Sequence, residues 1–232
     1  MTILRWLGRT LRGVLRTAAV LTLLLLLLVA AFRVLPPQWT PLMFLRVYES
    51  VTEAAPVGIE RQWVPYEQVS PHFFRAVVAA EDGRFMRHDG IDWKAMEDAM
   101  RYNRMHKGSK VRGASTISMQ TAKNVFLWHG RNYLRKGLEA WFTLAIEHLW
   151  GKRRILEVYA NVVEMGDGVY GVEAAARRYF GVPASELTRR QAALIAAVLP
   201  NPRRWSPARP TAYIKRRADW IQSRMGGVAL PR

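Results

Sequence analysis

The sequence contains no cysteine, and acidic residues are scarce: 18 Asp and Glu stand against 35 Lys and Arg. The lack of cysteine excludes disulfide bonds and thiolate metal sites, and the five histidines are scattered rather than paired at a metal-binding spacing. The shortage of acid leaves a net charge of +17. Such a charge favours a polyanionic partner, whether nucleic acid, an anionic bilayer surface or a phosphorylated substrate.

A membrane anchor is predicted near the N-terminus. No charged residue occurs from Thr17 to Phe32, and the apolar segment 17–35 approaches the roughly 20 residues that a membrane-spanning helix needs. The segment 1–16 is basic, which predicts a cytoplasmic tail and places the rest of the chain outside. The alternative is a signal peptide cleaved near Val29-Ala30-Ala31, although its apolar core would exceed the usual length of roughly 7–15 residues.

The segment 36–60 is predicted to follow the membrane directly. Pro36-Pro37 ends the anchor helix, because proline cannot continue one. An apolar stretch comes next, formed by Trp39, Met43, Phe44, Leu45 and Tyr48. This stretch either lies in the membrane interface or packs onto the exterior domain, and both interpretations stay open at this point.

Helical periodicity dominates the exterior part of the chain. Between residues 132 and 150, apolar side chains recur on one helical face: Leu134, Leu138, Trp141, Phe142, Ala145 and Leu149. A second buried helix is predicted over 187–198, starting at Leu187-Thr188 and ending before Pro200. The predicted fold class is therefore mainly α.

The adjacent carboxylates Glu81 and Asp82 end a largely apolar run that begins at Phe73. If that run is buried, Glu81 lies at the rim of a hydrophobic core, where partial desolvation raises the pKa of a carboxyl group towards values useful for a general base. An isolated Glu-Asp pair is more often a solvated helix end, so this interpretation depends on the rest of the chain.

A hydroxyl-rich stretch over 113–120 includes Ser115, Thr116 and Gln120, and Lys123 follows about one turn later. Hydroxyl and backbone N–H groups at the start of a helix suit phosphate oxygens, although Ser-Thr runs also cap ordinary helices. Arg135 and Glu139, four residues apart, would by themselves form a common helix surface ion pair.

The stretch from Gly166 to Gly171 has the glycine spacing of a dinucleotide-binding fingerprint. That fingerprint needs a preceding strand in a βαβ unit, whereas residues 152–163 fit a strand or a helix equally. We therefore interpret these glycines as a tight turn between two helices.

Five motifs in order resemble the glycosyltransferase family that polymerises peptidoglycan from lipid II (family 51), and its single-function members most of all. The motifs are Glu81-Asp82 with Phe85, His88 and Gly90; Gly113 to Gln120 with Lys123-Asn124; Arg135-Lys136 with Glu139; Lys152, Ile155 to Glu157, Tyr159 and Asn161; and Gln191 to Leu194 with Pro200 to Pro202. The resemblance implies a lysozyme-like helical glycosyltransferase domain over 61–210. The segment 211–232 is basic and has apolar residues at helix-compatible spacing, which predicts a basic C-terminal helix or tail.

The resemblance also implies site residues. The general base falls on Glu81, the second carboxylate on Glu139, and the phosphate-binding cations on Lys123 and Arg131. The other residues expected to bind substrate are Asp82, Ser115, Thr116, Gln120, Arg135 and Lys136. Glu139 is expected either to orient a cation or to bind a divalent ion, Mg²⁺ or Mn²⁺, that carries a diphosphate; no tightly bound cofactor is expected. The family usually has two glutamines where this chain has Met119 and Gln120.

The implied reaction is inverting transfer that builds β-1,4-linked glycan from lipid II and releases undecaprenyl diphosphate. The implied partners are lipid II, the growing strand and the membrane, with other proteins of cell-wall synthesis or division left open and no nucleic acid. The implied location is the bacterial inner membrane, crossed once, with the catalytic domain in the periplasm. The Ser-x-x-Lys and Lys-Thr-Gly motifs of a transpeptidase are absent, so cross-linking is not expected.

Three rival functions are weighed against this one. A lysozyme-like hydrolase would need a proton donor for the glycosidic oxygen and no phosphate-binding cations. A nucleic-acid-binding protein lacks a recognisable binding motif and would lie on the wrong side of the membrane. A scaffold without activity would have no use for Glu81 and Lys123.

Overall fold

The computed structural model describes residues 2–52, 58–106, 113–128, 130 and 132–231. The chain divides into two compact units, Met1–Pro36 and Pro37–Arg232. The first unit is helix α1 (Thr2–Phe32), whose portion Thr10–Phe32 is long and apolar enough to cross a membrane. It is compatible with a single-pass anchor. The helix ends three residues before the predicted boundary at 35, because a turn closed by Arg33 N–H to Ala30 C=O (3.1 Å) precedes the prolines.

The second unit is mainly helical. Its helices are α2 (Pro41–Thr52), α3 (Pro71–Glu81), α4 (Trp93–Met105), α5 (Ile117–Phe126), α6 (Tyr133–Val162), α7 (Val172–Phe180), α8 (Arg189–Val198) and α9 (Ala212–Arg224). A small sheet has the order β1 (Glu60–Arg61), β3 (Val169–Tyr170), β2 (Glu164–Gly166), with β1 parallel and β2 antiparallel to β3. The mainly α prediction is confirmed.

The core forms where α3 packs against α8 and α9, and where α5 packs along α6. Phe73, Phe74 and Val77 of α3 are completely or almost completely buried, and every residue of α8 from Ala192 to Val198 is buried. Thr188 and Gln191 form a capping box at the start of α8, which confirms the predicted beginning of that helix. Gln191 therefore has a local structural role.

Helix α6 begins as predicted, with the Asn132 side chain accepting the Arg135 N–H at 2.7 Å, and it kinks at Gly151, where φ is 77°. The predicted apolar face was wrong in detail. Leu134 is 70% exposed, whereas Glu139, Phe142, Thr143 and Ile146 are buried. The buried face of α6 carries polar groups because its first turns border the site described below.

The predicted turn over 166–171 was also wrong in detail. Residues up to Val162 are helical, and the short strand β2 that follows pairs antiparallel with β3, so the glycines do not open a βαβ unit and the dinucleotide-binding interpretation does not apply. However, two short strands lie between α6 and α7, joined by a turn at Asp167-Gly168, where Gly168 has φ 69°. Gly171 then starts α7, and a Cβ there would lie 3.0–3.2 Å from the Asn161 backbone.

Of the two interpretations of the stretch after the anchor, the structure supports packing onto the domain. Leu42 and Met43 of α2 are buried with Tyr170, and Arg46 forms an ion pair with Glu164 at 3.2 Å. The opposite face of α2 exposes Phe44, Tyr48 and Val51. Helix α9 is likewise part of the domain, since Ile214, Ala218 and Ile221 are buried.

Candidate active site

Glu81 is the last residue of α3, where the helix leaves the core. The side chain of Ser70 caps the helix and Pro71 occupies its first turn, which fixes the helix register and aims the final residue at the surface. The Glu81 side chain is 18% exposed. Glu81 Oε2 accepts a hydrogen bond from Gln120 Nε2 at 3.1 Å, and Glu81 Oε1 lies 3.5 Å from Arg217 Nη2.

Burial raises the pKa of Glu81 above its ordinary value. The hydrogen bond from Gln120 and the charge of Arg217 oppose this shift, and the neighbouring Asp82 adds to it. The structure thus agrees with the expectation of a partly desolvated carboxylate at the rim of the core. A carboxyl group in this environment suits proton abstraction better than a fully solvated one.

A cleft of about 660 Å³ opens beside Glu81 and carries most of the predicted binding residues: Ser115, Gln120, Lys123, Arg135, Lys136 and Glu139. Its walls include Met119, Leu199 and Pro200. Met119 is buried, while its neighbour Gln120 is the residue that contacts Glu81. Arg131 lies outside the described residues, so its predicted contact with phosphate stays a prediction.

Two of the cleft cations are held by Glu139, which is 4% exposed. Arg135 Nη1 donates to Glu139 Oε2 at 2.6 Å, and Lys136 Nζ donates to Glu139 Oε1 at 2.5 Å. Both carboxylate oxygens are therefore occupied. Glu139 is a buried anchor for two cations rather than the solvated ion pair that its spacing alone would suggest.

Lys123 differs from its neighbours because it forms no ion pair with the residues that the structure describes. Burial lowers the pKa of its ammonium group; the charge of Glu139 opposes the shift, and Arg135 and Lys136 add to it. A partly desolvated cation without a partner has a strong preference for an anionic ligand. The cleft therefore favours binding of a multiply charged anion.

Asp82 and Thr116 do not line the cationic cleft; they line a second cleft, described below, and are buried. Asp82 Oδ1 lies 2.9 Å from His88 Nε2, and Asp82 Oδ2 accepts the N–H of Ile117 at 3.0 Å, at the positive end of α5. Thr116 caps the same helix by accepting the Met119 N–H at 3.1 Å, and it donates to the Gly90 carbonyl at 2.5 Å. These two predicted ligands support the site, whereas Ser115 is exposed at its rim.

The loop between α3 and α4, residues 82–92, packs against α6. Gly90 has φ 89°, and a Cβ there would lie 2.7 Å from Thr143 Cγ2 and 2.9 Å from Glu147 Cγ. Lys152 Nζ donates to the His88 carbonyl at 2.6 Å and to Glu147 Oε1 at 2.7 Å. The close approach at Gly90 and the Lys152 contacts hold the loop in one place relative to the cleft cations, which are carried by α5 and α6.

Glu81 also lines a second cleft, of about 460 Å³. It is lined by hydrogen-bonding and aromatic groups, among them Arg84, Asp92, Asp98, Ser115, Trp220 and Arg224. Arg224 stacks over the Trp220 ring at 4.0 Å. The contributions of α9 to this cleft and to Glu81 were not predicted; the helical spacing of apolar residues in that segment indicated a helix but gave no indication of its neighbours.

A metal site can be tested on the ligand atoms present. Asp82, His88 and Asp92 bring one ligand atom each to within 4.8 Å of one another. However, the Asp82 oxygens already face His88 and the Ile117 amide, and Asp92 Oδ1 accepts the Ala95 N–H and pairs with Arg84. Glu139 is saturated by Arg135 and Lys136. These groups do not form a free ligand set for a divalent ion.

A desolvated carboxylate between two clefts, one of them cationic, defines an enzyme built for group transfer from a phosphate-linked donor. The family model described as Transglycosylase matches residues 49–226, and the chain belongs to this family, whose domain is lysozyme-like and helical. A biosynthetic peptidoglycan transglycosylase of Rhodospirillum centenum is 56% identical over 217 residues, covering 94% of this chain and 91% of that protein.

Two further relatives have the same name. The protein of Pseudomonas fluorescens strain SBW25 is 52% identical over 222 residues, covering 96% of this chain and 90% of its own length. The protein of Ectopseudomonas mendocina is 54% identical over 199 residues, covering 86% of this chain and 81% of its own length. The resemblance inferred from the five motifs is confirmed, and the chain is a glycosyltransferase.

Proposed function

We propose that the protein is a peptidoglycan glycosyltransferase that polymerises lipid II into β-1,4-linked glycan strands and releases undecaprenyl diphosphate. The relatives are named for peptidoglycan transglycosylation. The observation that carries the proposal is the placement of the buried carboxylate of Glu81 at the edge of a cleft with the cations Lys123, Arg135 and Lys136. One base and several cations are what transfer from a diphosphate donor requires.

Glu81 acts as the general base. A sugar hydroxyl is a weak nucleophile, so its proton must leave as the new bond forms. Glu81 Oε1 accepts no hydrogen bond from the described residues, whereas Glu81 Oε2 is occupied by Gln120. We therefore assign the proton to Oε1: the 4-hydroxyl oxygen of the acceptor sugar attacks the anomeric carbon of the donor, and its proton moves to Glu81.

The cleft cations stabilise the leaving group. As the bond from the anomeric carbon to the phosphate oxygen breaks, negative charge grows on the diphosphate, which needs charge neutralisation more than protonation. Lys123, Arg135 and Lys136 supply it, with Arg131 as a fourth predicted cation. Glu139 touches the cations and not the reacting atoms, so we assign it a positioning role.

The two clefts divide the substrates. The donor diphosphate belongs in the cationic cleft, and the acceptor sugar approaches Glu81 from the cleft that contains Trp220 and Asp98. A divalent ion, Mg²⁺ or Mn²⁺, would arrive on the diphosphate, because Mg²⁺ is commonly bound through substrate phosphates and few carboxylates. No step of the proposed reaction passes through such an ion.

Helix α1 fits a substrate that is itself a membrane lipid, because an anchor restricts the search for substrate to the membrane surface. The basic residues before the apolar segment favour a cytoplasmic N-terminus, and hence a periplasmic catalytic domain at the inner membrane. Protease added to intact spheroplasts is expected to digest the catalytic domain. Protection of that domain would contradict this orientation.

The decisive experiment compares the full chain with Glu81→Gln on labelled lipid II in detergent micelles. Polymer formation should fall by about 10²–10⁴-fold, the usual contribution of a general base, while binding of lipid II persists. Glu97→Gln is the matched control, since Glu97 is exposed on α4. A folded Glu81→Gln protein that polymerises at the parent rate would refute the base assignment, and shortening of finished glycan by the parent would indicate a hydrolase instead.

A further inference from the structure

We propose that Arg217 of helix α9 is a positioning residue for the base: its charge stabilises the Glu81 carboxylate while leaving Oε1 free for the acceptor proton. This inference rests on the proposed function of Glu81. Arg217 lies outside the five sequence motifs, in the segment 211–232 to which the resemblance assigned no site residue. It adds the C-terminal helix to the reaction machinery.

Arg217 acts on Glu81 through its charge, whereas Gln120 forms the hydrogen bond. Arg217 Nη2 lies 3.5 Å from Glu81 Oε1, which is an ion-pair distance but longer than the roughly 2.7–2.9 Å of a charge-assisted hydrogen bond. Gln120 donates to the other oxygen at 3.1 Å. The two neighbours therefore fix the carboxylate from both sides, and a lone pair of Oε1 stays available.

The packing of α9 determines where this charge lies. Ile214, Ala218 and Ile221 are buried, which fixes the helix against the rest of the domain, and Arg217 lies on the adjoining strip with its side chain 24% exposed. Arg217 Nε is buried and has no hydrogen-bond partner among the described residues. An unpaired buried N–H is unfavourable, so packing alone does not explain an arginine at this position.

Lys123, Arg135 and Lys136 line the same cleft as Glu81, but among the described residues the neighbours that act directly on its carboxylate, apart from Arg217, are uncharged or negative. Asp82, the next residue, raises the pKa of Glu81, and Gln120 from α5 is neutral. From α6, the buried Tyr159 hydroxyl lies near Glu81 and Asp82, and its own pKa is raised well above the ordinary value by burial and by those carboxylates. Arg217 is the positive charge that opposes the desolvation of Glu81. In its absence, the pKa of Glu81 would rise further.

The test is the pH dependence of kcat/KM for polymerisation by the full chain with Arg217→Gln. The acidic limb of the profile should move upward by about one pH unit, because a partly exposed pair at this distance is screened well below its Coulomb limit. Activity below the limb should fall about tenfold, and activity on the alkaline plateau should approach that of the parent. Arg216→Gln is the matched control: Arg216 is exposed on the same helix, and its profile should coincide with the parent profile.

The outcomes separate this inference from the proposed function. An acidic limb that does not move, or an equal loss of activity at every pH, would show that Arg217 has only a structural role. Polymerisation at the parent rate by a folded Glu81→Gln protein would instead overturn the assignment of Glu81 as the base, and a parent protein that forms no polymer from lipid II would overturn the proposed function. If circular dichroism shows that Arg217→Gln does not fold, the uncharged Arg217→Met decides: its acidic limb should again move upward, and a profile identical to that of the parent would overturn the inference.

Discussion

Replacing Glu139 by glutamine tests whether this buried carboxylate positions cations or takes part in the chemistry. The change removes the negative charge that Arg135 contacts at 2.6 Å and Lys136 at 2.5 Å. The Arg135 side chain is 11% exposed and its Nε already has no partner among the described residues. The substitution therefore leaves a buried cation without compensation.

Removing one partner of a buried ion pair costs about 3–5 kcal/mol, and we expect about 3 kcal/mol here because the cleft is open to water and glutamine still accepts a hydrogen bond. For a chain of this size the midpoint of thermal unfolding should fall by about 6–12 °C, measured by circular dichroism of the full chain in detergent. Glu97→Gln is the control. Glu97 and Arg101 are 65% and 61% exposed, so that variant should change stability by less than about 1 kcal/mol.

The kinetic result separates the two roles of Glu139. A positioning residue predicts about tenfold slower polymerisation at a temperature where the variant is folded, with lipid II binding retained because the cleft becomes more positive. Unchanged unfolding together with a loss of about 10³-fold or more in kcat would refute our reasoning and establish a catalytic carboxylate.

Three further predictions follow from the site. Gly90→Ala should destabilise the domain by about 2–4 kcal/mol because it combines a positive φ with a clash against α6, whereas Gly83→Ala, which meets open space, should lower the unfolding midpoint much less. Glu81→Gln should raise the unfolding midpoint above that of the parent at neutral pH but not near pH 3. Burial raises the pKa of Glu81, so the charged form of Glu81 disfavours folding as pH rises, and glutamine removes that cost. An equal difference between variant and parent at both pH values would contradict this. Lys123→Met should raise the KM for lipid II by about tenfold or more through loss of a charge-assisted contact, and an equal rise with the exposed Lys215→Met would indicate non-specific electrostatics.

The sequence predicted the elements whose patterns are local. The apolar N-terminal helix, the start of α6 at Asn132 and the start of α8 at Thr188 depend on composition or on residues within one turn, and each lies at or near its predicted place. The strands β1 and β3 could not be predicted, because each is two residues long and their pairing joins Glu60 to Val169 across most of the domain. Such contacts leave no periodic pattern.

In the candidate site, too, local sequence features were predictable and packing was not. Residue type and motif order were sufficient to bring Glu81, Lys123 and Arg135 to one cleft. They did not predict that the Asp82 oxygens contact His88 and the Ile117 amide while the residue also lines the second cleft, so its expected contact with substrate stays a prediction. These contacts depend on burial, which is a property of the packed domain.

The two desolvated groups, Glu81 and Lys123, lie where the proposed reaction needs them. Burial disfavours the charged forms of both Glu81 and Lys123, so neither group contributes to stability as a solvated one would. Their positions are maintained by saturated neighbours: Glu139 with its two cations, and Asp82 with His88 and the start of α5. Because these neighbours are already paired, they keep their geometry when substrate arrives. Lys123 remains available to contact a diphosphate, and Glu81 Oε1 remains available to accept a proton. Paired neighbours that hold desolvated reactive groups in place are therefore the physical basis of the proposed catalysis.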